Sequence, residues 1–155
     1  MKESPKKDAE KYWKEKEREI GEEIKGRDIC EYISGYQGIT ERIWGLLYYT
    51  ESSFYFQIFP RKNWYTSLIW SGKTEDSVAT MNFRILWEEI KVVNLPPKRN
   101  FFFNFFSPVD YRVFIKYRIN NQEDTLILMM YSSEHRNHFI DCYYQFKKVD
   151  SLKFC

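Results

Sequence analysis

Between residues 42 and 131 the sequence returns to one texture: a short run rich in aromatic and β-branched side chains, then a polar break. The runs are "RIWGLLYY" (42–49), "FYFQIF" (54–59), "WYTSLIW" (64–70), "NFRILW" (82–87), the second half of "EEIKVVNL" (88–95), "DYRVFIKYRI" (110–119) and "TLILMMY" (125–131). The breaks include "TESS", "PRKN", "SGKTEDSVAT" and "NNQED". Residues of this type fit pleated, half-buried surfaces, and runs of this length bounded by turn residues read as strands. In the sixth run Tyr111, Val113, Ile115, Tyr117 and Ile119 fall on one face, against Arg112, Phe114, Lys116 and Arg118; in the fourth, Phe83, Ile85 and Trp87 oppose Asn82, Arg84 and Leu86. Strict alternation of this kind marks a sheet with one face on a core. The expectation is a seven-stranded antiparallel sheet.

The period changes at both ends. "SSEHRNHFIDCYYQFKKV" (132–149) places Phe139, Cys142, Tyr143, Phe146 and Val149 at helical spacing. Ser132 or Ser133 suits the N-cap, and Lys147 and Lys148 suit the last turn. The first 28 residues hold nine Lys/Arg and nine Asp/Glu, interleaved. Within them "DAEKYWKEKEREIGEEIK" (8–25) reads as a charged helix with a narrow stripe of Ala9, Trp13, Ile20 and Ile24. Such an arm either rests on the domain by Trp13 and Ile20 or pairs with another chain. "GRDICEYISGYQGITE" (26–41) is punctuated by Gly26, Gly35 and Gly38 and reads as a linker. The organisation expected is therefore a helical arm and linker over 1–39, one domain over 40–150 and a tail over 151–155.

Aromatic residues make up 19% of the chain, as 13 Phe, 12 Tyr and 5 Trp; they favour sheet and are also enriched at interfaces, and the sequence does not apportion them between the two. The net charge is only +2, which argues against a general polyanion binder. The aromatic and basic mixture of residues 111–118 lacks the small residues of an RNA-binding sheet motif, so nucleic acid is not an expected partner. The cysteines Cys30, Cys142 and Cys155 are odd in number and have no CxxC spacing; they read as reduced thiols of a cytoplasmic protein. No apolar run approaches the length that spans a bilayer.

Signs of catalysis are weak. Glu88 and Glu89 are adjacent, so their carboxylates diverge; GxSxG, GxGxxG and P-loop patterns are missing. His135 and His138 form HxxH at the start of a helix, but two solvated histidines are a simpler reading than a metal site. The chain is read as a non-enzyme with no cofactor, no catalytic residues and no metal ligands.

Three stretches carry a family resemblance. "GLLYYTESSFYFQ" (45–57), "ILWEEIKVV" (85–93) and "HRNHFIDCYYQFKK" (135–148) resemble, in that order, the first hairpin, the middle segment and the closing helix of the pleckstrin-homology-like (PH-like) superfamily, which includes the GRAM domains and many bacterial relatives. The likeness covers about residues 40 to 150. It implies a mainly β, partly open seven-stranded barrel whose mouth is capped by the C-terminal helix. The lipid-binding members hold phosphoinositide with basic residues around the first hairpin loop. Here that loop is "TESS" (50–53), flanked by Tyr48, Tyr49 and Phe54, so this mode is not expected. The resemblance implies instead a non-catalytic adaptor that binds a protein or peptide between the closing helix and a sheet edge.

The alternative is peripheral membrane contact. "PPKRNFFFNFFSP" (96–108) sets Lys98 and Arg99 before five phenylalanines, and Arg61 and Lys62 lie in a loop that the implied strand order places at the same end. Cations attract anionic lipid and aromatics settle at the head-group boundary. Most of the segment reads as core, with Phe102 and Phe106 facing outward. The candidate contact residues are thus Arg61, Lys62, Lys98, Arg99, Phe102 and Phe106, at a partner protein or at the inner face of a membrane. The oligomeric state is not legible.

Overall fold

A computed structural model describes residues 5–58, 81–97 and 110–153. Among the described residues seven strands form one antiparallel sheet: β1 (Gly26–Ser34), β2 (Ile43–Tyr49), β3 (Ser53–Ile58), β4 (Asn82–Leu86), β5 (Ile90–Asn94), β6 (Arg112–Ile119) and β7 (Gln122–Met130). The hydrogen-bonded order is β4-β3-β2-β1-β7-β6-β5. Among the described residues two α-helices flank it, α1 (Pro5–Ile20) and α2 (Ser133–Lys153), and a turn of 3-10 helix, η1 (Trp87–Glu89), joins β4 to β5.

Among the described residues the number of strands in the sheet agrees with the sequence reading, but the membership does not, and the hairpin read as the first, 45–57, is the second, β2–β3. The stretch read as a linker contains β1, which lies in the middle of the sheet between β2 and β7. The run at 64–70 lies outside the described residues. The helix expected over 8–25 begins earlier and ends earlier: Gly21 N–H closes the last turn on Glu17 O and the chain leaves the helix, so Ile24 is not on its stripe.

Hydrogen bonding does not close the sheet into a barrel, because β4 and β5 remain at opposite ends of the order. The chain nevertheless passes from one end to the other between Leu86 and Ile90. Four residues reach at most ~14 Å, whereas seven strands laid flat at ~4.8 Å spacing would be ~29 Å wide. The sheet must therefore curl until its two ends nearly meet, and η1 spans the gap.

The core lies inside this curl. Trp87 of η1 is its hub: fully buried, it donates from Nε1 to Thr50 O at 2.9 Å. Its ring meets Tyr49, Phe54, Phe139, Tyr143 and Phe146 at centroid separations of 5.6 to 6.4 Å. Phe139, Cys142, Tyr143 and Phe146 are the buried stripe of α2, as the helical spacing predicts. Ser132 Oγ accepts from His135 N–H at 3.3 Å and starts the helix. Towards the other end of α2, Lys147 Nζ donates to Ile90 O on the edge strand β5 at 2.7 Å.

Candidate ligand groove

The six contact residues nominated from the sequence, Arg61, Lys62, Lys98, Arg99, Phe102 and Phe106, all lie outside the described residues. The described part of the molecule carries a different concave surface, built from stretches that sequence reasoning left unconnected.

Alternation along β1 turns Asp28, Cys30 and Tyr32 inward and Arg27 and Ile29 outward. Ile29 pairs across to Leu46 of β2, which also faces out. The helix α1 lies over this outer face, with Trp13 edge-on to Tyr48 at 5.6 Å and the Arg27 guanidinium 5.2 Å from the Trp13 ring centre. The pairing of β1 with β7 begins only at Cys30–Met130. Residues 26–29 therefore run past the end of β7, where the chain turns through Tyr131 into α2. A gap opens at this point. Trp13, Arg27, Asp28, Ile29, Leu46, Tyr131 and His135 line a groove of about 290 Å³. Ile29 is 43% exposed and Tyr131 66%, and Trp44, two positions from Leu46 on β2, is 45% exposed. Large apolar side chains left to water in one neighbourhood are the mark of a contact surface.

Asp28 is the polar feature of the groove. Its side chain is 4% exposed, and His135 Nε2 lies 3.3 Å from Oδ1. Burial holds the carboxyl above its ordinary value, while the neighbouring His135 and His138 pull it the other way and do not prevail. His138 is turned to a different partner, bonding through Nδ1 to the Tyr49 hydroxyl. The two histidines of HxxH are thus separately engaged, and no group of three or more His, Cys, Asp or Glu converges among the described residues. Burial also pushes up the thiols of Cys30 and Cys142, which makes both poor nucleophiles.

Asp28 gives a pH prediction. A carboxyl raised on folding binds its proton more tightly in the folded state, so its ionisation opposes folding. The cost is absent below the unfolded carboxyl value of about 3.9. It grows as pH rises to the folded value and is constant above. Asp28→Asn should therefore melt a few degrees higher than the wild-type chain at neutral pH, with the gain vanishing in acid. Thermal melts followed by circular dichroism at neutral and acidic pH check this. A variant less stable at neutral pH would mean that attraction to His135 outweighs burial.

The "TESS" turn is held from inside. Thr50 N–H donates to Ser53 O at 2.9 Å, and the Ser52 hydroxyl donates to the Glu22 carboxylate at 2.7 Å. Two cations missed in the sequence reading approach this turn. Lys25 lies 2.8 Å from Glu23 and 3.5 Å from Glu51, and Arg84 lies 3.4 Å from Glu22. Each is matched by a carboxylate, so the turn offers little to a phosphate. No described helix is long and apolar enough to cross a membrane.

No family model and no curated protein matches the chain. Among solved structures it is similar to the crystal structure of the C-terminal domain of an unknown protein from Leishmania infantum. The two are 15% identical with a TM-score of 0.51, over 89% of this chain and 97% of that one. At this identity the likeness concerns the fold alone: a mainly β chain with a seven-stranded antiparallel sheet and a helix at each end.

Proposed function

We propose that the chain is a non-catalytic recognition domain of PH-like type, and that it binds a peptide segment of a partner protein in the groove between α1, the outer face of β1 and β2, and the start of α2. The PH-like reading is supported by the strand order, the curl bridged by η1 and the aromatic stripe of α2 against Trp87. The groove differs from the one the family resemblance implies, beside the closing helix and a sheet edge. There the Lys147 ammonium already takes the Ile90 carbonyl.

The observation that carries the reading is the run of exposed apolar residues around a preformed concavity. Ile29 and Tyr131 are large, face water and line a groove with mostly apolar walls, and Trp44 is exposed nearby on β2. Side chains of this kind gain from a partner that covers them, and burial of a few anchors dominates such interfaces. A groove on a sheet face reads side chains; it does not add a strand.

Selection from a displayed random-peptide library tests this. Peptides enriched on the wild-type chain should be lost, by about tenfold or more in affinity, on Ile29→Lys, which puts a charge under the anchor. Peptides that bind both chains equally would place recognition elsewhere. Sedimentation with anionic vesicles is the matching control. Pelleting that Lys98→Glu/Arg99→Glu abolishes would favour the membrane alternative.

A further inference from the structure

We infer that the groove selects a cationic anchor: a lysine or arginine side chain of the partner peptide, its stem along Ile29 and Leu46 on the outer face and its head turned round the edge of β1 that β7 leaves uncovered, to Asp28. This rests on the peptide-binding reading above and adds the chemistry of the anchor.

The charge is the first argument. Asp28 is a carboxylate with a 96% buried side chain in a groove whose other walls are mostly apolar and aromatic. Its neighbour His135 stands at 3.3 Å, longer than the roughly 2.7–2.9 Å of a charge-assisted hydrogen bond. The imidazole is not fixed from its other side, since Nδ1 has no hydrogen-bond partner. His135 can therefore yield to a stronger donor. Arg27, the nearest fixed cation on β1, is stacked on Trp13 and does not turn to Asp28. A purely apolar anchor would seal a carboxylate held only by the long His135 contact away from water, which is costly, and an anionic one would bring a second negative charge beside it.

Shape is the second argument. The groove, at about 290 Å³, is at the small end of the ~300–1,000 Å³ found for ligand sites, which suits one long side chain better than a nucleotide or cofactor. The Trp13 ring already carries Arg27, so Tyr131 is the wall whose aromatic face can attract a Lys or Arg head group. The apolar floor suits a methylene stem.

The test titrates the isotope-labelled full chain with butylguanidinium and with its neutral isostere butylurea, following the backbone amides of Ile29, Leu46 and Tyr131 by NMR. Butylguanidinium should bind about tenfold more tightly than butylurea, the margin of a hydrogen-bonded ion over a neutral group. In Asp28→Asn the two probes should bind alike. In Tyr131→Leu, which changes an exposed residue and keeps the apolar area, the preference for butylguanidinium over butylurea should fall about threefold. A cation preference that survives Asp28→Asn overturns the inference. So does equal binding of the two probes to the wild-type chain, and in that case the peptide reading stands with an apolar anchor. Failure of both probes to bind also overturns it, and the library selection then decides separately whether the groove takes a peptide at all.

Discussion

The Phe139→Asp chain is expected to be unfolded at 25 °C, and Phe146→Asp to lose most of its native signal as well. Phe139 is fully buried, with its ring against Tyr49, Phe54 and Trp87 at 5.5 to 5.6 Å. Truncating such a phenylalanine to a small apolar residue costs about 3–5 kcal/mol. Aspartate adds the burial of a carboxyl with no cation in that aromatic shell to match it, a further few kcal/mol even when it takes up a proton. A domain of this size has only about 5–15 kcal/mol in total. The loss is also not local. The ring of Phe139 is where α2 meets both Trp87 of η1 and the β2–β3 hairpin, so pulling it out frees the helix and opens the curl together. Phe146 is slightly more exposed, at 8%, and should cost somewhat less. Near-ultraviolet circular dichroism and urea melts check both chains. A Phe139→Asp chain with the wild-type midpoint would mean that α2 does not stopper the sheet.

Much of this arrangement is legible in the sequence because it depends on periodicity. Phe83, Ile85 and Trp87 alternate and are buried; Phe139, Tyr143 and Phe146 recur at helical spacing and are buried. β1 is not legible, for a physical reason. Its inward face starts with a carboxylate, Asp28, and its outward face carries Ile29, so the usual apolar-in, polar-out alternation is inverted just where the strand begins. The inversion that hid the strand is the same feature that makes the groove. Strands buried on one face do not ordinarily put a charge in and an isoleucine out; local rules are most often broken at functional sites.

The site itself was out of reach for a different reason. Trp13, Asp28, Leu46 and the Tyr131–His135 turn come from four separate stretches, joined only because β1 overruns the end of β7. A single sequence shows no such overrun. What could have pointed to it was the pair of Asp28 and His135, both polar, in segments flanked by aromatics. The basic and phenylalanine-rich stretches that drew attention instead, around Arg61 and Lys62 and from Lys98 to Phe106, stand apart from this groove in the chain.

Gly35→Ala is expected to destabilise the fold by about 2–5 kcal/mol, combining a left-handed backbone with a forced contact. Gly35 follows Ser34, which pairs with Ile127 just past a register shift between β1 and β7, and its φ is +97°. A methyl group there would sit 1.9 Å from Thr125 O and 2.6 Å from its carbonyl carbon. Both are backbone atoms of β7, so no side chain can swing away to make room. The strand would have to retreat, and two tethers oppose it. Gly35 O accepts from the Tyr117 hydroxyl at 2.8 Å, and the Tyr32 hydroxyl accepts from Tyr36 N–H at 2.9 Å while donating to Ile39 O at 2.6 Å. Burial pushes the Tyr117 phenol up to about 12, so it stays a donor at any ordinary pH. Gly38 supplies the control within the same loop. It too is left-handed, at φ +73°, but a methyl group there meets nothing within 4 Å. Gly38→Ala should cost only the backbone part, about 1–2 kcal/mol. Urea midpoints of the two variants, compared at matching m-values, separate strain from collision. Equal losses would mean that β7 yields freely at Thr125, and that the join between β1 and β7 is looser than its register implies.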